Sequence, residues 1–122
     1  MSKKVMIFDD DVNLLEICSL ILTGKNFEVI VRDTCADIIR EVGLQEPDLI
    51  IMDNRIADIG GVKATQLLKS HLILSRIPVI FFSAHNNVSE LAKEAGADFF
   101  LSKPFNIAEL ESLVNAAINK AK

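Results

Sequence analysis

The sequence contains no tryptophan or tyrosine, only three prolines and two cysteines, and no long apolar run. Its apolar runs fall well short of the roughly 20 residues that a membrane-spanning helix needs. Two thiols also cannot supply the disulfide framework of a small secreted domain. The lysines and arginines are scattered and the net charge is −4, which argues against a basic surface for nucleic acid. These absences predict a cytoplasmic protein that contacts neither membrane nor nucleic acid directly.

Cys18 and Cys35 lie in apolar, helix-like segments, which favours ordinary core positions for both thiols. A zinc site would require them to meet His71 and His85, but these residues lack the short spacings of zinc ligands. The chain shows no repeat, low-complexity tract or linker rich in proline and serine. Because half of its 122 residues are hydrophobic, one core is expected, and we predict one domain over residues 1–122.

Short β-branched or aromatic runs alternate with longer segments of helical period, a pattern typical of parallel α/β folds. The predicted strands are residues 4–8, 27–31, 48–52, 77–82 and 98–101, and the predicted helices are 12–23, 35–42, 61–70, 88–95 and 107–120. This alternation is compatible with a doubly wound five-stranded parallel sheet of order 2-1-3-4-5 with helices on both faces. In such a sheet the ligand crevice lies beyond the carboxyl ends of the strands, between strands 1 and 3.

Local signals support several helix ends. Two capping boxes are predicted, one from Asn87 to Glu90 and one from Asn106 to Glu109. Three glycines stand where a predicted helix ends and a positive φ is favourable: Gly24, Gly43 and Gly96.

Polar residues follow four of the five predicted strands. They are Asp9, Asp10 and Asp11 after strand 1, Asp53 after strand 3, Ser83 after strand 4 and Lys103 after strand 5. Two carboxylates about 4 Å apart repel by roughly 4 kcal/mol at an effective dielectric of 20, so three that converge must protonate or bind a cation. Oxygen ligands from a few carboxylates suit Mg²⁺. A carboxylate beside a metal and an ammonium group can also accept a phosphoryl group.

Each of these residues also has a purely structural interpretation. Asp10 or Asp11 could cap the first helix, Ser83 could bond its own loop, and Lys103 could be a solvated lysine in a turn before Pro104. Their coincidence at the ends of four strands is what favours a site.

Four segments together resemble the receiver domain of two-component response regulators, and the resemblance covers nearly the whole chain. They are residues 5–15 (VMIFDDDVNLL), 47–53 (PDLIIMD), 78–84 (PVIFFSA) and 96–105 (GADFFLSKPF). The resemblance implies a phosphorelay switch that takes a phosphoryl group onto Asp53 from a phosphohistidine. The donor would be a sensor histidine kinase or a histidine phosphotransfer protein, and Ser83 and Lys103 would hold the phosphoryl oxygens.

The resemblance also implies a magnesium cofactor. Asp10 would bind Mg²⁺ directly, Asp9 largely through water, and Asp53 and the backbone carbonyl of Arg55 would complete the protein ligands. Ala57 departs from the family pattern, in which proline is usual at this position, and a looser loop is expected there.

Two further pairs of residues receive roles from the same resemblance. Ser83 and Phe100 would form the conformational switch, although Phe100 lacks the hydroxyl of the tyrosine often found at its position. Arg55 and His85 border the path of the hydrolytic water in this family and are predicted to tune dephosphorylation, unless both are simply solvated. Output partners would dock on the face of helix 4, strand 5 and helix 5, with homodimer formation on phosphorylation as a further expectation.

Two other classes of function fit these residues less well. A phosphatase of the haloacid-dehalogenase type would place an aspartate two residues after its nucleophile, where this chain has Arg55, so we predict that the chain is not an enzyme. A flavodoxin-like binding module would need a donor-rich loop after strand 1, and Asp9, Asp10 and Asp11 would repel its phosphate. A receiver that has lost phosphate acceptance is disfavoured because all the expected polar positions are filled.

Overall fold

The computed structural model describes residues 2–120, which form one twisted parallel sheet between two layers of helices. The elements are β1 (Lys4–Phe8), α1 (Val12–Thr23), β2 (Glu28–Arg32), α2 (Ile38–Gln45), β3 (Leu49–Asp53), α3 (Gly61–Ser70), β4 (Val79–Ser83), α4 (Val88–Ala95), β5 (Phe99–Ser102) and α5 (Ile107–Lys120). A short 3-10 helix, Leu74–Arg76, precedes β4. The strand order is β2-β1-β3-β4-β5, so the predicted fold class is confirmed. No helix within residues 2–120 is both long and apolar enough to span a bilayer.

The three central strands carry side chains into two separate cores. In β1, Val5 and Ile7 pack toward α1 and α5, whereas Met6 and Phe8 pack toward α2 and α3. This alternation follows from the two-residue period of a strand, and burial on both faces explains why these strands are almost continuously apolar. The cysteines are both buried, with Cys18 in the first core and Cys35 in the second, so the predicted packing role fits the structure.

Helix α2 begins three residues later than the sequence pattern predicts. Thr34 forms a parallel bridge with Ala57, and the Cys35 amide donates to the Ala57 carbonyl at 3.2 Å. These contacts hold residues 34 and 35 in an extended loop and delay the helix to Ile38. The helix also continues past its predicted end to Gln45, so Gly43 lies inside α2 and not at its end.

Other predicted helix ends are partly right. Asn106 and Glu109 form the predicted capping box, in which the Glu109 amide donates to Asn106 at 2.8 Å and the Asn106 amide donates to Glu109 at 3.1 Å. Asn87 makes no side-chain capping bond, so the box predicted there is wrong. Gly96 has the expected positive φ of 83°, whereas Gly24 stays right-handed with a φ of −63°.

Candidate functional site

The residues singled out after the strands meet at the carboxyl edge of the sheet. Asp9 follows β1, Asp53 ends β3, Ser83 ends β4 and Lys103 follows β5. Asp9, Asp53 and Ser83 are almost fully buried, with exposed fractions of 0%, 3% and 2%. Because β1 and β3 are neighbours in this strand order, the site lies at the topological switch point of the doubly wound sheet.

Lys103 joins the two buried carboxylates. Its Nζ atom donates to Asp9 Oδ2 and to Asp53 Oδ1, each at 2.8 Å. The lysine reaches this position because its amide donates to the Ser83 carbonyl at 2.9 Å, which continues the pairing of β4 with β5. The ammonium also lies 4.5 Å from the centre of the Phe82 ring, a favourable cation–π distance. Lys103 is therefore held firmly against both carboxylates.

Three carboxylates form a cluster that fits a divalent cation. One oxygen each from Asp9, Asp10 and Asp53 lie within 4.8 Å of one another. Asp9 and Asp53 are buried, whereas Asp10 is exposed, so the cluster opens to water on one side. An open set of oxygen ligands that leaves room for water suits Mg²⁺, which gives up its hydration shell reluctantly.

Burial and charge act in opposite directions at this cluster. Burial raises the pKa of Asp9, the negative charge of Asp53 adds to this effect, and together they outweigh the hydrogen bonds from Lys103 and the Asp11 amide. Burial alone would lower the pKa of Lys103, but its hydrogen bonds to Asp53 and Asp9 reverse the effect and raise that pKa. Lys103 is thus a permanent cation at neutral pH and balances part of the acidic charge.

Asp11 has a structural role, as the alternative interpretation allowed. Its Oδ1 atom accepts hydrogen bonds from the amides of Asn13 and Leu14 at 3.1 and 3.2 Å, which caps the start of α1. The Asp11 amide itself donates to Asp9 Oδ1 at 2.9 Å. The cap of α1 therefore also orients the buried carboxylate of Asp9.

Gly61 is a residue of the site that the sequence pattern did not reveal. A Cβ atom built at this position would collide with the carbonyl oxygen of Asp53, so only glycine fits. The Gly61 amide also donates to the Asn54 carbonyl at 3.0 Å, which folds the start of α3 back over the end of β3. Only its position, eight residues after Asp53 at a helix start, could have hinted at this role.

Of the residues with predicted switch and tuning roles, Ser83, Arg55 and His85 lie at or just after the carboxyl ends of β3 and β4, beside the carboxylates. Ser83 Oγ accepts a hydrogen bond from the His85 amide at 3.0 Å, and Asp53 Oδ2 accepts one from the Arg55 amide at 3.1 Å. Arg55 and His85 are both exposed to solvent. Phe100, in β5, is 47% exposed and turned outward. The structure thus places Ser83, Arg55 and His85 beside the site and Phe100 on the outer strand β5, while the roles of all four stay predictions.

The fold and the site define a class of α/β domain that has an acidic pocket with a lysine at the switch point of its sheet. The comparisons with known proteins agree with this class. The sequence matches the response regulator receiver domain family over residues 5–115. It is 26% identical over 122 residues to the DNA-binding response regulator MtrA of Mycobacterium tuberculosis (strain ATCC 25618 / H37Rv), covering 98% of this chain and 52% of MtrA. The chain therefore spans about half the length of this curated relative.

Two solved structures show the same fold. The signal receiver domain of a signal transduction histidine kinase from Syntrophus aciditrophicus has a TM-score of 0.91 and 26% identity, covering 99% of this chain and 93% of the other. The receiver domain of sensor histidine kinase PA1611 from Pseudomonas aeruginosa PAO1 has a TM-score of 0.88 and 23% identity, covering 98% and 99%. That second structure has a magnesium ion coordinated in its active-site cleft.

The chain belongs to the response regulator receiver domain family of two-component signal transduction. Members of this family are phosphoacceptors and also have autophosphatase activity. The prediction that the chain is not an enzyme is therefore wrong. The error arose because turnover was equated with a second acid or base beside the nucleophile, and Arg55 stands in that place.

Proposed function

We propose that this receiver domain accepts a phosphoryl group on Asp53 from the phosphohistidine of a sensor histidine kinase or a histidine phosphotransfer protein. The observation that carries the proposal is the contact of Lys103 with both Asp9 and Asp53 inside a cluster of three carboxylates. A structural lysine or a helix-capping aspartate would not require this convergence of residues 94 positions apart in the chain.

In the proposed reaction a carboxylate oxygen of Asp53 attacks phosphorus while the phosphorus–nitrogen bond of the donor breaks. The released imidazole keeps the electron pair of that bond and takes up a proton. Lys103 Nζ, now 2.8 Å from Asp53 Oδ1, would follow the developing negative charge on the phosphoryl oxygens. Ser83 would donate its hydroxyl hydrogen to one of these oxygens, since its Oγ uses only its acceptor function in the contact with the His85 amide.

Asp9, Asp10, Asp53 and the carbonyl of Arg55 would hold Mg²⁺. When bound, Mg²⁺ neutralises charge on the transferring phosphoryl oxygens. Asp9 and Asp53 are fixed by the hydrogen bonds from the Asp11 and Arg55 amides, so their oxygens need little reorganisation. Asp10 is exposed and would enter the ligand set from the solvent side.

The proposed relay begins with Ser83. Movement of Ser83 toward the phosphoryl group would draw on the neighbouring β5, where Phe100 pairs with Phe81 and lies partly exposed. Phe100 would then turn inward and alter the face of α4, β5 and α5, through which the output partner would dock and a phosphorylated homodimer would form. Arg55 and His85 would set the lifetime of the phosphorylated state.

The remaining parts of the proposal rest on family membership. Residues 1–122 would act as one receiver domain, located in the cytoplasm with its phosphohistidine donor. The output would pass through protein contacts of this domain and not through nucleic-acid contacts of its own, because its lysines and arginines do not form a basic stripe.

The experiment is incubation with phosphoramidate, a small donor with a phosphorus–nitrogen bond, or with acetyl phosphate, in the presence of Mg²⁺. Intact mass should show a gain of one phosphoryl group on the wild type and none on Asp53→Asn. Asp58→Asn is the matched control, since Asp58 is an exposed aspartate of the same loop and should leave labelling unchanged. Labelling should also disappear when EDTA removes the metal. Equal labelling of wild type and Asp53→Asn would overturn the proposal.

A further inference from the structure

A cavity of about 490 Å³ lies between α2 and the segment that joins α3 to β4. Its walls are mostly apolar, with Ile39 from α2 and Ile73 and Leu74 from the joining segment. Pro47 and Arg76 also line it, and both precede the strands β3 and β4. The cavity therefore lies at the amino edge of the sheet, opposite to the site around Asp53.

Two residues of the cavity wall weaken α2 locally. Gly43 lies inside the helix, where glycine costs about 0.5–1 kcal/mol relative to alanine, although a Cβ there would meet nothing within 4 Å. Glu46 ends the helix in the left-handed conformation with a φ of 48°, a place where glycine is the usual residue. Neither choice is explained by packing within the described chain. Gly43 keeps the cavity open because it has no side chain, and Glu46 places a carboxylate on the rim of the cavity.

An exposed leucine lies beside the cavity, outside its lining. Leu72 is 88% exposed, and its neighbour Ile73 is 64% exposed. The backbone that carries them is held in place, because His71 Nδ1 accepts hydrogen bonds from the amides of Ile73 and Leu74 at 3.2 and 3.1 Å. Because this backbone is already ordered, the segment loses less conformational freedom when a partner buries Leu72, which favours association.

This face carries one acidic and one basic residue, so it is electrostatically complementary to a second copy of itself. Glu46 and Arg76 line the same cavity, and within residues 2–120 neither forms a salt bridge. A two-fold axis that passes between these two residues would pair Glu46 of one copy with Arg76 of the other, and the reverse pair would form by symmetry. In such an arrangement both ion pairs would form together with the insertion of both leucines.

We propose that this face is a homodimer interface in which Leu72 of each copy enters the cavity of the other beside Gly43. The occupant is a second copy because the exposed Leu72, the cavity that would receive it, and the opposite charges of Glu46 and Arg76 all lie on one face of one chain. The interface forms without phosphorylation, since its residues lie at the far edge of the sheet from Asp53. It is independent of the function proposed above.

The test is sedimentation velocity of the unphosphorylated protein from about 10 µM to about 1 mM, the range of weak association. The wild type should show a reversible dimer. Leu72→Asp and Gly43→Leu should each weaken it by about tenfold or more, the first by removing the knob and the second by filling the cavity. Gly43→Leu has open space and a better helix former, so it should fold at least as stably as the wild type.

Charge reversal gives the sharper comparison. Glu46→Arg and Arg76→Glu should each weaken the dimer, whereas the double variant should restore it because the two charges are exchanged across the axis. Leu20→Asp is the matched control, since Leu20 is 70% exposed on α1 and away from the cavity. A wild type that stays monomeric at every concentration would overturn the proposal and leave the cavity to a ligand or another protein. So would a folded double variant that fails to recover, or Leu20→Asp weakening the dimer as much as Leu72→Asp.

Discussion

Replacing Lys103 with methionine should destabilise the metal-free domain strongly while nearly conserving side-chain volume. Each contact of Nζ with a carboxylate oxygen, at 2.8 Å, contributes an attraction of about 6 kcal/mol at an effective dielectric of 20. Much of this attraction offsets the cost of desolvating the three groups. Its loss leaves two nearly fully buried carboxylates without their cation, and such changes lower the free energy of unfolding by about 3–5 kcal/mol.

The assay is urea unfolding followed by far-ultraviolet circular dichroism, because the chain has no tryptophan or tyrosine to report by fluorescence. The measurement is made once in EDTA and once with Mg²⁺. A cation bound by Asp9, Asp10 and Asp53 would neutralise the same carboxylates, so Mg²⁺ should recover part of the loss in the variant. The difference between wild type and variant should therefore shrink when Mg²⁺ is present.

Lys25→Met is the matched control for this prediction. The Lys25 ammonium lies 3.7 Å from Glu111, but its side chain is 59% exposed, so its loss should change stability by no more than about 1 kcal/mol. If Lys103→Met in EDTA proved as stable as Lys25→Met, the argument that Lys103 compensates buried negative charge would fail.

Three further measurements follow from particular contacts. Gly61→Ala should lower stability by about 1–3 kcal/mol and impair labelling of the site, because its Cβ would collide with the neighbouring backbone carbonyl; Gly43→Ala, in open space, should instead raise the melting temperature. Burial alone would raise the pKa of Asp98, but the hydrogen bond and charge of Lys69 hold it below the usual range. Asp98 therefore stabilises the fold above its unfolded pKa of about 3.8. This contribution is lost as the pH falls and the Asp98 carboxyl of the folded state becomes protonated. The difference in unfolding free energy between wild type and Asp98→Asn, measured by urea unfolding, should therefore shrink at acid pH. Replacing Arg55 and His85 together with alanine should change the half-life of the phosphorylated state by about threefold or more, timed by intact mass; an unchanged half-life would discard the tuning role.

The sequence was informative where a residue type has few roles and its neighbours fix its environment. Continuous apolar runs such as residues 49–52 predict strands that are buried on both faces, and the structure buries every residue of β3. Since parallel strands end at one edge, the polar residues that follow them could be placed together without any coordinates. The approach of Lys103 to Asp9 and Asp53 agrees with that expectation.

The sequence was uninformative where a glycine or a loop depends on distant contacts. Gly43 was expected to end a helix because glycine is common just after helices. Glycine also occurs inside helices, and the local sequence does not distinguish the two positions. The late start of α2 depends on the bridge from Thr34 to Ala57, which joins two loops separated by 23 positions. Gly61 is required by the close approach of the backbone of Asp53 and Asn54, and that contact exists only once β3 and α3 have packed.

The two proposed sites occupy opposite edges of the same sheet, and this separation has a consequence for how they interact. The strands β3 and β4 each contain five residues, which at about 3.3 Å per residue place their ends roughly 17 Å apart. At that distance the charge of a phosphoryl group on Asp53 is screened by more than one Debye length in physiological salt wherever water intervenes. The rigid central strands also move little, so dimer formation through Leu72 and phosphorylation at Asp53 should be thermodynamically independent. The dissociation constant of the Leu72 interface itself should therefore agree within about threefold before and after phosphorylation, judged from the difference between wild type and Leu72→Asp so that a dimer formed through α4, β5 and α5 does not count. A larger change would show that α2 or the segment before β4 takes part in the switch.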